Sequence, residues 1–303
     1  MKMSLPDSLD LRRQDLAQVY SPQREWIEGW GVLIVVAHFF SGVGAGAWLW
    51  SLLFDFPLGR TLAFVTVVVF SGIAHMAFLG RWERFWRMLR RPHQSWISRG
   101  IWGIGIFTIG GLGVQVPALR DAAVGPLFLG LSLFGAIAIL CYEGFVYSAS
   151  KGIPFWHTKL LPVLYIAYGL RGGAALLLVV PVFGITDFDV SVLEVIKLWV
   201  VVSTAVLILL YLVMRSRAGG AARVSVAQLV AGRISPAFYG GTVLAGIVVP
   251  LALAATPAGL GVPEFAVLAA MGLASLVGDF YVKYCIVKAG VYAPTIGPQG
   301  VSP

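Results

Sequence analysis

The sequence predicts an all-α integral membrane protein: eight transmembrane helices in two four-helix bundles, with both termini cytoplasmic. Three observations lead there. The 303 residues are 58% hydrophobic and only 12% charged, whereas a water-soluble domain carries about 25% charged residues. The apolar residues fall into eight runs, each close to the roughly 20 residues that span a bilayer. The positive charges collect between alternate runs, so that one face holds nearly all of them. Without water, backbone polar groups must be satisfied inside helices, which makes a helical bundle the architecture. The chain divides into an N-terminal segment 1–29, a membrane domain 30–288 and a tail 289–303.

Residues 1–29 are polar, mixed in charge, and lack the basic-then-apolar order of a signal peptide. Within them, "SLDLRRQDLAQVY" suits either a short surface helix or a loose tail. Span 1 (30–54) contains His38 and "SGVGAGAWL", whose Gly42 and Gly46 form a small-xxx-small stripe for close helix approach. Span 2 (61–80) contains His75, and both histidines lie about two turns from the cytoplasmic end. Span 3 covers 101–119. Span 4 (124–148) brings Tyr142 and Glu143 to a similar depth. Span 5 (160–184) places Arg171 near mid-membrane, where a partner such as Glu143 or Asp279 is expected. Span 6 (190–214) has Glu194 and Lys197 near its outer end, read as snorkelling to the interface. Span 7 covers 240–256. Span 8 (263–286) has Asp279 and Lys283 four apart on one helix face, a spacing that predicts a pair.

Placement of the charges orients the molecule. The N-terminal segment, the 2–3, 4–5 and 6–7 loops and the C-terminal end share the basic face, and the opposite face is poor in cations and holds Asp55, Asp121, Asp187, Asp189 and Glu264. The positive-inside rule makes the basic face cytoplasmic, in a multi-pass protein of the inner membrane. A net charge of +8 distributed this way argues for topology and lipid contact and against a nucleic-acid partner. The 2–3 loop, "LGRWERFWRMLRRPHQSWISRG", has six arginines, more than orientation requires. Arg81, Arg84, Arg91 and Arg99 interleave with Trp86 and Trp96, a composition found both at headgroups and at protein interfaces. The two cysteines, Cys141 and Cys285, are far apart, with no Cys/His cluster for iron–sulfur or structural zinc.

Ionisable residues inside spans are costly and are read first as functional. His38, His75, Tyr142 and Glu143 form a set able to hold a quinone head: donors for two carbonyl oxygens and groups that exchange protons. Gly42 leaves room for a flat ring beside His38. The same two histidines also suit a b-type haem, so that spacing alone leaves both open. Arg171, Asp279 and Glu143 form a candidate proton relay, which makes an ion-translocating subunit a third reading.

Three segments resemble one family. "HFFSGVGAGAWL" is similar to the first-helix signature of the polysulfide-reductase membrane subunit family (NrfD/PsrC-like), "LGRWERFWRMLRRPHQSWISRG" to its arginine loop, and "GDFYVKYCIVKAG" to its last helix. The likeness covers the whole chain, with Trp82 standing where the family often has proline. The resemblance implies the membrane anchor of a three-part oxidoreductase. Such an anchor binds a quinone (menaquinone or ubiquinone) and carries no metal or haem of its own. A ferredoxin-like iron–sulfur subunit docks on the loop face and leads to a molybdopterin catalytic subunit. It also implies His38 and a fourth-helix tyrosine, Tyr142 or next Tyr147, as quinone contacts. Combined with the charge pattern, it puts the soluble module on the cytoplasmic side.

Overall fold

The computed structural model describes residues 20–184, 190–255 and 263–293. Within them eight helices are long and apolar enough to cross a membrane. They are α1 (Gly29–Leu53), α2 (Pro57–Leu79), α3 (Trp96–Gln115), α4 (Gly125–Ser148), α5 (Leu160–Phe183), α6 (Val195–Arg217), α7 (Ser235–Ala254) and α8 (Glu264–Ala289). The eight spans expected from the sequence are therefore present. The 8–20 segment considered for a surface helix lies, apart from Tyr20, outside the described residues, as do Asp187 and Asp189.

Two boundaries differ for a local reason. Helix α3 begins at Trp96 rather than 101 because the Ser95 hydroxyl accepts a hydrogen bond from Ser98 N at 3.4 Å, an N-cap that satisfies an orphan donor. Trp96 and Arg99 thus belong to the first turn of a helix. Helix α7 begins at Ser235, with Pro236 in its first turn, where the missing N–H has no helical partner to lose.

Helices α1 and α5 are the most enclosed of the eight. Lipid gives apolar side chains no reason to leave it, so helices join where small residues let backbones approach. A Cβ on Gly46 would lie 2.2 Å from Gly169 O, and one on Gly173 would lie 2.2 Å from Ala47 N. Glycines spaced four apart on both helices therefore form the α1–α5 crossing, and Trp50 Nε1 donates across it to Leu170 O at 2.8 Å. Around this axis α1 also packs on α2, α4 and α8, and α5 packs on α4, α6 and α8. Other close approaches follow the same rule: Gly110 against Ser132 and Gly135 against Phe107 join α3 to α4, and Gly246 against Gly278 joins α7 to α8.

Two helices contain π-helical turns, Thr66–Ser71 in α2 and Phe238–Val248 in α7. Such turns are rare and concentrate at functional positions; the one in α2 ends four residues before His75. On the arginine-loop face residues 21–23 meet residues 287–292. Gln23 N donates to Gly290 O at 3.1 Å, Tyr292 N donates to Ser21 O at 2.9 Å, and Gln23 Nε2 caps the helical carbonyl of Val287 at 2.5 Å.

Replacing Gly173 by valine is expected to lower the thermal unfolding midpoint in detergent, by an amount equivalent to at least about 1–3 kcal/mol of overpacking. Gly105→Ala, where a Cβ meets nothing within 4 Å, should leave the midpoint unchanged or raise it.

Candidate functional site

Four helices bring polar side chains together beneath the arginine-loop face. The ring of His38 (α1) stands edge-to-face to His75 (α2), Tyr142 and Tyr147 (both α4), with centroids 5.7, 5.5 and 5.4 Å away. Tyr147 Oη lies 2.9 Å from His38 Nδ1, and Tyr142 Oη lies 3.0 Å from His75 Nε2. His75 Nδ1 is 2.9 Å from the carbonyl oxygen of Ser71. A carbonyl only accepts, so this contact requires a proton on Nδ1. In neutral His75, Nε2 is then the acceptor for the Tyr142 hydroxyl. Among the described residues no group hydrogen-bonds Nε2 of His38.

Glu143 turns from the same helix toward α1 and α8. Ser41 Oγ donates to its Oε1 at 2.6 Å, and Lys283 Nζ donates to its Oε2 at 2.5 Å and to His38 O at 2.6 Å. Two polar sets therefore lie side by side at His38: Tyr142 with His75, and Glu143 with Ser41 and Lys283. His38 and Lys283 are each 2% exposed and Glu143 is 1% exposed, while His75 is half-buried and reaches the outer surface of the bundle. Two glycines make this packing possible. A Cβ on Gly42 would lie 2.7 Å from Lys283 Nζ, and one on Gly100 would lie 2.2 Å from the Tyr142 ring.

A second cluster lies deeper. Arg171 (α5) pairs with Asp279 (α8) at 2.5 Å, donates to Thr204 Oγ1 at 3.1 Å and to Ser275 O at 3.3 Å, and lies over the Tyr168 ring at 4.8 Å. Of the two carboxylates expected for Arg171, Asp279 is its partner. The pairing of Asp279 with Lys283 is corrected: Lys283 reaches past its own helix to Glu143, because Gly42 opens α1 there and Arg171 already occupies Asp279. The snorkelling of Lys197 is also corrected. Its side chain is fully buried. Nothing is described of the Glu194 side chain.

Both ring nitrogens of His75 are engaged, by Ser71 and Tyr142, and its imidazole meets that of His38 edge to face at 5.7 Å. No group of three or more His, Cys, Asp or Glu residues suited to a metal occurs among the described residues.

Comparison with known proteins adds one finding: residues 23–294 match the family model described as polysulphide reductase, NrfD. The chain belongs to the NrfD family. This family provides membrane anchor subunits of oxidoreductase complexes, which work with redox enzyme subunits. No curated protein matches the chain.

In this NrfD-family chain the arginine loop is a built structure. A 3-10 helix covers Trp82–Arg90. Arg99 donates to Pro92 O at 2.8 Å and to His93 O at 3.0 Å and lies over the Trp96 ring, and Trp96 stacks on Phe145 at 4.2 Å. Arg99 and Trp96 thus hold the loop to α3 and α4, whereas Arg81, Arg84, Trp86 and Arg91 are exposed on its surface. Gly100, the last residue of the loop motif, is the floor beneath Tyr142. Reading by depth along each span brought out His38, His75, Tyr142 and Glu143. It missed Ser41, Lys283 and Gly100 as members of the same cluster. The "GDFYVKYCIVKAG" likeness contained a signal for Lys283; nothing in the sequence signalled Ser41.

Lys283→Met leaves the Glu143 carboxylate buried without its ammonium and is expected to cost about 3–5 kcal/mol. The double variant Lys283→Met/Glu143→Gln should recover most of the loss. Thermal unfolding of the singles and the double in detergent measures the coupling.

Proposed function

We propose that this chain is the quinone-reactive membrane anchor of a molybdopterin-dependent oxidoreductase. It exchanges electrons between membrane menaquinone or ubiquinone and a ferredoxin-like iron–sulfur subunit docked on the arginine loop. The observation that supports this most is the His38–Tyr142–His75 cluster, with its Glu143–Lys283 base, packed directly against that loop through Gly100. Quinone chemistry needs hydrogen bonds to two oxygens and a supply of protons. His38 Nε2 and the Tyr142 hydroxyl supply the contacts, and the neighbouring Glu143 carboxylate, held by Ser41 and Lys283, is the proton store. The half-buried His75 marks the side from which a head group reaches them. Gly42 has its place in this site through the approach of Lys283 to Glu143.

Docking follows from the same face. Arg81, Arg84, Trp86 and Arg91 offer exposed cations and an aromatic surface to an acidic partner, and Trp96 and Arg99 hold the loop in shape. Aromatic and arginine anchors of this kind dominate many interfaces. The positive-inside rule puts this face in the cytoplasm, and with it the iron–sulfur and molybdopterin subunits and both termini. The same basic face meets the lipid headgroups.

In the purified complex, His38→Ala should reduce quinone turnover on the order of 100-fold, the scale of a lost proton-transfer group, with subunit assembly unchanged. Undiminished turnover in an assembled complex would refute the assignment. A Soret band in the isolated chain would favour the haem reading instead. A fluorescent protein fused after Pro303 should fold and fluoresce in the cytoplasm; a dark fusion at normal expression would reverse the orientation.

A further inference from the structure

Helices α6 and α7 leave a slot between them. Helix α7 uses its small residues on α8: a Cβ on Gly241 would meet the Tyr281 ring, and Gly246 packs on Gly278. Toward α6 it presents Tyr239, Val243 and Ile247, opposite Leu209, Leu212 and Ser216. Helices close up in lipid where small side chains let backbones approach. Bulky side chains on both sides here leave a cavity of about 440 Å³. Val226 and Val230 line it where the short helix Gly220–Val230 joins α6 to α7. One side is open to the bilayer, since Leu209 and Tyr239 are exposed. The lining runs along α6 from Ser216 to Ala205, about 16 Å at 1.5 Å per residue. Half of a hydrocarbon core about 30 Å thick has the same depth, so the slot is one leaflet deep. Its polar atoms, on Ser216 and Tyr239, lie at the end nearest the arginine-loop face.

That end is cationic. Arg217 follows Ser216, Arg233 follows the short helix, and both are exposed. Between Glu194 and Glu264 the sequence has no acidic residue, yet it holds Arg215, Arg217, Arg223 and Arg233. Arg215 is engaged by the 4–5 loop, donating to Pro154 O at 2.7 Å. Among the described residues neither Arg217 nor Arg233 has a hydrogen bond or ion pair. An apolar slot one leaflet deep, with free arginines at its mouth, matches a molecule with a long chain and an anionic head. Basic pockets between transmembrane helices take anionic lipid headgroups in this way. An uncharged isoprenoid tail has no group for the arginines, and a zwitterionic headgroup brings an ammonium that they repel.

We propose that the α6–α7 slot is a binding site for an anionic phospholipid of the loop-face leaflet. One acyl chain lies between Leu209 and Val243, and Arg217 and Arg233 hold the phosphate. The lipid supplies the α6–α7 contact that the bulky side chains prevent. The slot is separate from His38 and Tyr142, so it stands whether or not the chain binds a quinone.

The test uses the full chain in a non-ionic detergent, with phosphatidylglycerol carrying a photoactivatable diazirine on one acyl chain. Labelling should fall on the slot residues of α6 and α7. Unlabelled phosphatidylglycerol should suppress it at roughly 30-fold lower concentration than phosphatidylcholine with the same chains, about 5-fold for each arginine. The double variant Arg217→Gln/Arg233→Gln should fold and lose this preference. Labels scattered over all lipid-facing helices, or equal suppression by the two lipids, overturn the site. Suppression by glycerol phosphate alone reduces it to a bare anion site, and suppression by an isoprenoid quinone as strong as by phosphatidylglycerol makes it a tail slot; either result overturns the proposal. So does a preference retained in the folded double variant. If that variant fails to fold, the label positions and lipid competition in the unaltered chain decide.

Discussion

Gly42 is the position on which the centre of this protein depends. It lies where α1 meets α4 and α8, and a single methyl group there would occupy the space of the Lys283 ammonium. Because it has no side chain, Lys283 reaches the Glu143 carboxylate and the His38 carbonyl together. That one cation ties three helices at the level of the histidine pair. One turn further along α1, Gly46 makes the crossing with α5. The first helix is thus both the packing axis of the molecule and one wall of its polar site, through a stripe of small residues.

The ion pairs show why packing and chemistry cannot be separated here. A carboxylate and an ammonium taken from water lose solvation that their mutual attraction only partly restores. In a bilayer no water-facing alternative exists at mid-depth, so each charge must find its partner on another helix. Glu143 (α4) finds Lys283 (α8), and Asp279 (α8) finds Arg171 (α5). The pairs link helices that glycine contacts alone would leave free to slide. They set the axial register of α8 against both α4 and α5, and that register determines the height of Glu143 beneath Tyr142.

Much of this was legible in the sequence because a bilayer imposes two strong rules, span length and charge asymmetry. The eight helices follow from apolar runs, and the convergence of His38, His75, Tyr142 and Glu143 follows from counting turns in antiparallel helices. Azimuth was less legible. Depth says how far along a helix a residue lies, not which way it faces. Lys283 was therefore assigned to its neighbour Asp279 on the same helix, although it faces α1 and α4. The same blindness made Lys197 a snorkelling residue. The π-helical turns of α2 and α7 shift azimuth further, and no residue pattern announces them. The early start of α3 depended on one serine cap.

The clasp between residues 21–23 and the end of the last helix adds a temporal dimension. Lys283 and the carbonyl that Gln23 caps both belong to the last helix, whereas their partners, Glu143 and Gln23, lie in the first half of the chain. During synthesis α4 enters the bilayer with its carboxyl unmatched, and the leading segment has nothing to pair with. Only with α8 are the Glu143–Lys283 pair and the clasp completed. A chain truncated before that helix therefore lacks more than one span: Glu143 also loses the ammonium that pairs with it.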